Sequence, residues 1–343
     1  MKALVLTRYN HFEIQDVPQP QIGPEDVLVG VKACGICGSD VHGMDGRSGR
    51  RLPPIIMGHE ASGVISRVGE RATGWKEGDR VTFDSTVSCG KCRFCRRGRI
   101  NLCDHRRVLG VSCAEFRQDG AYAEYVAVPQ NILYRLPDEL SFEHAATVEP
   151  VSVAVHSVQR VPIHLNDTAV VVGTGMIGLL VVQALRAAGC GRIIAVDVDP
   201  KRLELACRLG AGEGISAEST DVAAEVIERT GGRGADVAFE AVGIPATVAA
   251  AIASVRKGGS VGLVGNMTPE VALPLQAVVT RELTLYGSCA SSGEYPACLE
   301  MIARGVIDVE AMISVVVPLA EAPAWFDRLY QGEDGLMKVI LKP

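Results

Sequence analysis

The segment Val170-Val-Val-Gly173-Thr-Gly175-Met-Ile-Gly178 constrains this chain more than any other: a β-branched run enters a turn of spaced glycines and continues as a helical stretch. The first glycine makes a tight bend, and the second lets the backbone approach a ligand closely. The helix start then offers unsatisfied N–H groups to an anion. A second strand, Arg192–Asp197, ends on an acid 19 residues beyond Gly178, the spacing of a dinucleotide-binding unit. Gly173, Gly175, Met176, Ile177, Gly178 and Asp197 are therefore the expected nucleotide residues. Asp197 would accept hydrogen bonds from the adenosine ribose and repel a 2′-phosphate, which favours NAD over NADP. Lys201 and Arg202 follow closely, and either can tolerate a phosphate or hydrogen-bond the ribose. A purely structural turn with Asp197 as a surface cap is the competing explanation, and the strand–turn–helix context disfavours it.

The texture around this segment predicts an α/β architecture with a doubly wound parallel sheet. Strands at Thr168–Val172, Arg192–Asp197, Ala235–Glu240 and Ser260–Gly265 alternate with helices at Met176–Ala188, Pro200–Leu209, Val222–Arg229 and Ala246–Val255. The first third is instead β-rich, with short apolar runs such as Val27–Val31 and Gly63–Val68 between turn signals. After Leu283–Gly287 come a helix at Glu294–Arg304 and short strands at Ser314–Val317 and Met337–Leu341. The expected organisation is a β-rich domain at 1–153 and 290–343, with an α/β domain inserted at 154–289.

Charge and cysteine content narrow the function. With 34 basic and 40 acidic residues the chain carries a formal charge of −6, a poor match for a nucleic-acid partner. No apolar run is long enough for a membrane span, and the opening residues turn polar too soon for a signal peptide. The eleven cysteines are odd in number, and the expectation is metal chemistry in a reducing, cytoplasmic setting. Cys89, Cys92, Cys95 and Cys103 follow the pattern C-x2-C-x2-C-x7-C in a lobe at about 86–107, a closed four-thiolate site for structural zinc. Arg93, Arg96, Arg97 and Arg99 would offset its negative charge. A nucleic-acid-binding zinc ribbon is the alternative, and the acidity of the chain and lack of stacking aromatics speak against it.

A second constellation is dispersed: Cys34-Gly-Ile-Cys37-Gly-Ser39-Asp40-Val-His42, then Gly58-His59-Glu60, then Glu149-Pro150-Val-Ser-Val. Singly, Cys37 reads as a buried thiol, His59 as a core histidine and Glu149 as a helix-start acid. Together they supply thiolate, imidazole and carboxylate, and leave an open position for a catalytic zinc.

In this order, the motifs G-I-C-G-S-D-V-H, G-H-E-A-S-G, the four-cysteine loop, E-P-V-S-V and V-V-V-G-T-G-M-I-G resemble the zinc-containing medium-chain dehydrogenases, in register along the whole chain. The E-P-V-S-V segment is similar to their sorbitol/polyol dehydrogenase branch. The resemblance implies a GroES-like catalytic domain and a Rossmann domain with the active site in the cleft between them. It also implies a homo-oligomer, dimer or tetramer, and two zinc ions per chain. Cys37 and His59 would hold the catalytic zinc, with Glu60 or Glu149 as third ligand and the other acid beside it. Ser39 and His42 occupy the proton-relay positions, and Arg202 joins the nucleotide residues. Backbone at Val264-Gly265 and Gly287-Ser288 would wall the nicotinamide.

The expected activity is reversible, NAD-dependent hydride transfer at a secondary alcohol of a polyol, polyol phosphate or sugar acid. The chain departs from the sorbitol dehydrogenases where they carry an Arg-Tyr pair, since Ala290 and Ser291 stand there. Gly43 likewise replaces a tyrosine often found after the first motif. A threonine or amino-alcohol dehydrogenase is the alternative within the class, disfavoured by Glu149-Pro-Val-Ser152 in place of an Asp-Pro-Phe-Gly pattern. A non-catalytic dinucleotide-binding relative is the alternative outside it.

Overall fold

Strands with apolar runs that do not alternate with polar residues must be covered on both faces, which calls for a parallel sheet between helices. The computed structural model, which describes residues 1–112 and 117–343, forms such a sheet from Thr168–Val172, Arg192–Asp197 and Ala235–Glu240. The chain divides into two units. One comprises Met1–Glu149, Ser292–Gly305 and Val309–Pro343, and the other Pro150–Ser291 with Val306–Asp308. The expected boundary at 153 falls inside the helix Val148–Arg160, and the units part in its first turn.

In the second unit the strands lie in the order Glu213–Ser216, Arg192–Asp197, Thr168–Val172, Ala235–Glu240, Val255–Leu263, Thr284–Gly287, all parallel. By position in the chain this is order 3-2-1-4-5-6, the Rossmann arrangement. Its order reverses between Thr168–Val172 and Ala235–Glu240, and the Gly173 turn leaves the sheet at that point. Helices Met176–Ala187, Pro200–Arg208, Val222–Arg229 and Pro245–Ser254 make crossovers. The strand expected at 260–265 begins at Val255 instead, directly from the helix. The register shift between Ala235 and Val237 accommodates Gly258 and Gly259. The short strand Glu213–Ser216 and the helix Leu275–Thr280 lack a sequence signal because each is too brief to show a period.

In the first unit the described residues form a mixed sheet in the order Leu133–Arg135, Arg80–Phe83, Glu60–Val68, Asp26–Gly35, Lys338–Lys342, Ile313–Pro318. Tyr125–Pro129 also pairs with Asp26–Gly35. The last strands of the chain thus complete a sheet begun by its first residues. A second sheet joins His11–Asp16, Lys2–Arg8 and Ile55–Ile56. Phe326, on the late helix Ala322–Tyr330, fixes this closure: its ring lies 4.4 Å from Phe12 and edge-on to Tyr122 at 5.7 Å, and it is fully buried. No helix among the described residues is long and apolar enough to cross a membrane.

Phe326→Ala removes the shared partner of two aromatic contacts and should cost about 3–5 kcal/mol. The expected readout is a clearly lower urea midpoint for this unit; an unchanged midpoint would show that the closure rests elsewhere.

Candidate metal centres and nucleotide cradle

Three neighbouring strands bring their ends to one place. Asp26–Gly35 lies between Glu60–Val68 and Lys338–Lys342, and Gly35 pairs with Glu60 on one side and Ile340 on the other. Cys37 follows the end of the central strand, His59 and Glu60 open the second, and Lys338 opens the third. A Cβ on Gly35 would come within 2.4 Å of Glu60 Oε2, so glycine there is what admits the carboxylate. The ligand atoms of Cys37, His59 and Glu60 all lie within 4.8 Å of one another. Thiolate, imidazole and carboxylate converging in this way fit a zinc ion with a position left for another ligand.

Glu60 and Glu149 are equivalent candidates in the sequence, and the structure separates them: Glu60 joins the donor group and Glu149 does not. Glu149 sits in the first turn of Val148–Arg160. Burial pushes its carboxyl up to about 7, opposed by His59 and reinforced by the charges of Glu60 and Asp84. Glu60 accepts a 2.7 Å hydrogen bond from Lys338 Nζ, and both side chains are almost completely enclosed. Lys338 Nζ also donates to the Ile36 carbonyl at 2.9 Å. Burial opposes the ammonium charge, but Glu60 outweighs it and holds Lys338 above its ordinary value.

Behind His59 lies Asp40, whose Oδ2 is 3.4 Å from Nδ1 of the ring, an ion-pair distance without hydrogen-bond alignment. A carboxylate beside one ring nitrogen is the kind of partner that orients a metal-binding histidine. Asp40 is fully buried and also accepts from Tyr122 Oη at 2.8 Å and from Arg51 Nε at 2.8 Å. Burial alone would raise its carboxyl, yet Arg51 and His59 hold it well below the carboxylate range. Cys37 caps the short helix Gly38–Val41, and its sulfur accepts from Ser39 Oγ at 3.2 Å. His42, three residues beyond Ser39, is exposed at the end of the same helix. Cys34 is buried away from solvent, and burial raises its thiol.

The sulfurs of Cys89, Cys92, Cys95 and Cys103 also lie within 4.8 Å of one another. The Cys92 and Cys95 sulfurs are 3.5 Å apart. Four sulfurs at about 2.3 Å around zinc would have edges of about 3.8 Å, so the cluster is close to a closed tetrahedron. Backbone N–H groups of Cys95 and Asp104 lower the Cys92 thiol to about 6, while burial and neighbouring thiols push Cys95 up to about 11.

In the second unit, Gly173 has φ +91° and a Cβ on Gly178 would lie 1.8 Å from the Gly173 carbonyl, so this turn tolerates no side chain at its third glycine. Gly175 caps Met176–Ala187, with Met176 and Ile177 in its first turn. Asp197 ends its strand as expected, but its carboxylate is already clamped. Oδ2 accepts from Thr174 N at 2.6 Å and Thr174 Oγ1 at 3.0 Å, and Oδ1 accepts from Asp199 N. Arg202 pairs with Asp199 at 3.4 Å. The Val264 and Gly265 amides both donate to the Glu240 carbonyl, so only other atoms of that segment are available to a ligand.

Lys338, Arg51, Tyr122 and Thr174 escaped the sequence reading. Thr174 lay within the glycine motif itself, where its hydroxyl was a usable signal. The other three have no local pattern, because their partners are distant in the chain.

Comparison with known proteins agrees with this geometry. Residues 23–138 match the alcohol dehydrogenase GroES-like domain, and residues 177–304 match the zinc-binding dehydrogenase family. The chain is 36% identical to sorbitol dehydrogenase of Bacillus subtilis (strain 168), covering 100% of this chain and 97% of the relative. It is 37% identical to L-idonate 5-dehydrogenase of Vitis vinifera, over 88% of this chain and 83% of the relative. Among solved structures, a proposed zinc-binding dehydrogenase of Sinorhizobium meliloti 1021 bound to NADP superposes with a TM-score of 0.91 at 33% identity, over 100% of this chain and 99% of that one. With these matches spanning both units, the chain belongs to the zinc-containing medium-chain dehydrogenases, in their polyol dehydrogenase branch.

Proposed function

We propose that this chain reversibly oxidises a secondary alcohol of a polyol or sugar acid to the ketone, with NAD as hydride acceptor. The observation that carries the reading is the convergence of Cys37, His59 and Glu60 beside Ser39. These three residues would hold the catalytic zinc, and Cys89, Cys92, Cys95 and Cys103 a structural one. When bound, zinc supplies Lewis acidity that makes an alcohol hydroxyl acidic, and the oxidised dinucleotide supplies the hydride acceptor. Ser39 Oγ takes the hydroxyl proton, and His42, on the same short helix, delivers it to solvent. The carbinol C–H bond gives up its hydrogen with both electrons, so alcohol and oxidised dinucleotide become ketone, reduced dinucleotide and one proton. Lys338 balances the Glu60 charge, and Glu149 lies close enough to feel both Glu60 and His59.

Asp197, held in place by Thr174, supports NAD over NADP, because a fixed carboxylate at the strand end repels a 2′-phosphate. Gly173, Gly175, Met176, Ile177 and Gly178 would cradle the pyrophosphate. The names of the relatives support a polyhydroxylated substrate such as sorbitol or L-idonate. A homo-oligomer is supported by exposed Met267, Leu273, Leu275 and Val279, which precede the edge strand Thr284–Gly287. Cys34, Cys190, Cys207 and Cys298 are held in no disulfide, in keeping with a reducing cytoplasmic setting.

Metal analysis should return two zinc ions per chain, one for each donor group. Cys37→Ala should keep one and lose turnover, whereas Cys92→Ala should lose the other and unfold more readily. A chain active with no zinc at the Cys37 group would overturn the reading. NADH formation is expected with polyols, polyol phosphates or aldonates but not threonine; turnover of threonine alone would reassign the substrate. Asp197→Ala should lower kcat/KM for NAD by about tenfold while raising that for NADP, a change of about 1.4 kcal/mol in cofactor binding. An unchanged cofactor ratio would place discrimination elsewhere.

A further inference from the structure

Arg51 is buried to 3% exposure yet lies outside every motif that marks the site. Its guanidinium holds Asp40 Oδ1 through Nε at 2.8 Å and Nη2 at 2.5 Å. The same Nη2 donates to Ser39 Oγ at 3.3 Å. Space for this side chain depends on Gly43, where a Cβ would approach Arg51 Cγ to 2.8 Å.

We propose that Arg51 is a positioning residue for the proton relay, acting through Ser39; the inference rests on the function proposed above. A serine hydroxyl has one proton and two lone pairs. Arg51 fills one lone pair with an N–H that arginine never gives up, so it cannot itself be the base. The other lone pair is thereby aimed at the incoming hydroxyl proton, while Ser39's own proton is free to turn from the Cys37 sulfur and leave toward His42. The proton on Oγ leaves ahead of the one that arrives, so the hydroxyl is restored at the end, and the fixed cation stabilises the negative charge that Oγ carries between the two transfers. Asp40, itself held by the Tyr122 hydroxyl, anchors the guanidinium, so the fork is set before substrate arrives.

The test is a double-mutant cycle on the full-length zinc-loaded chain with NAD and its best alcohol substrate. Arg51→Lys keeps a cation beside Asp40 but loses the fork that also reaches Ser39. It should retain two zinc ions per chain and KM within about twofold, and lower kcat by about tenfold, the scale of a lost charge-assisted hydrogen bond. The solvent deuterium isotope effect on kcat should rise. In a Ser39→Ala background the same change should alter kcat by less than about twofold, because the residue it acts through is gone. Equal losses in both backgrounds, an unchanged kcat, or departure of a zinc ion in Arg51→Lys would each overturn the inference and leave the functional reading intact. An unmutated chain that reduces NAD with no secondary alcohol would overturn the functional reading, and Arg51's role with it.

Discussion

The buried ion pair between Glu60 and Lys338 is the constraint around which the first unit is arranged. A carboxylate and an ammonium taken out of water are costly unless they meet closely and have further partners. Lys338 satisfies that condition by reaching both Glu60 and the Ile36 carbonyl. The pair can form only if the Lys338–Lys342 strand docks beside Asp26–Gly35 in one register, and that register sets Cys37, His59 and Glu60 at one end of the sheet. A slip by one residue would turn Lys338 to the opposite face and strand the Glu60 charge in a dry interior.

The second shell repeats this logic on the other side of the donor group. Asp40 faces His59, Tyr122 and Arg51, so a buried negative charge is balanced by one fixed cation and aligned donors. One acid of the donor group and one acid behind it are thus each matched to a base, Glu60 to Lys338 and Asp40 to Arg51. The donor group therefore sits in surroundings whose charge is balanced locally, and its reactivity is governed by the ligands themselves.

Much of this was legible in the residues. The glycine spacing at 173–178, with an acid at 197, marked the strand–turn–helix unit that the structure displays, because turn geometry and helix N–H groups are local properties. The four clustered cysteines were equally plain. The grouping of Glu60, and not Glu149, with Cys37 and His59 was not, since both acids have the right chemistry and only the folded chain sets Glu60 beside those donors. Lys338 was invisible because its partner lies 278 residues away, and a single lysine before an apolar strand reads as an ordinary edge residue. Arg51 was hidden for a similar reason: among the basic residues of its loop, only three-dimensional packing shows which one is enclosed.

The separation of Glu60 and Lys338 has a consequence for biosynthesis. Glu60 leaves the ribosome 278 residues ahead of the base that neutralises it. Until that later strand is made, the nascent polypeptide presents sulfur, imidazole and carboxylate without the segment that closes over them. A truncation upstream of Lys338 therefore yields a product that owns its ligands but not their enclosure.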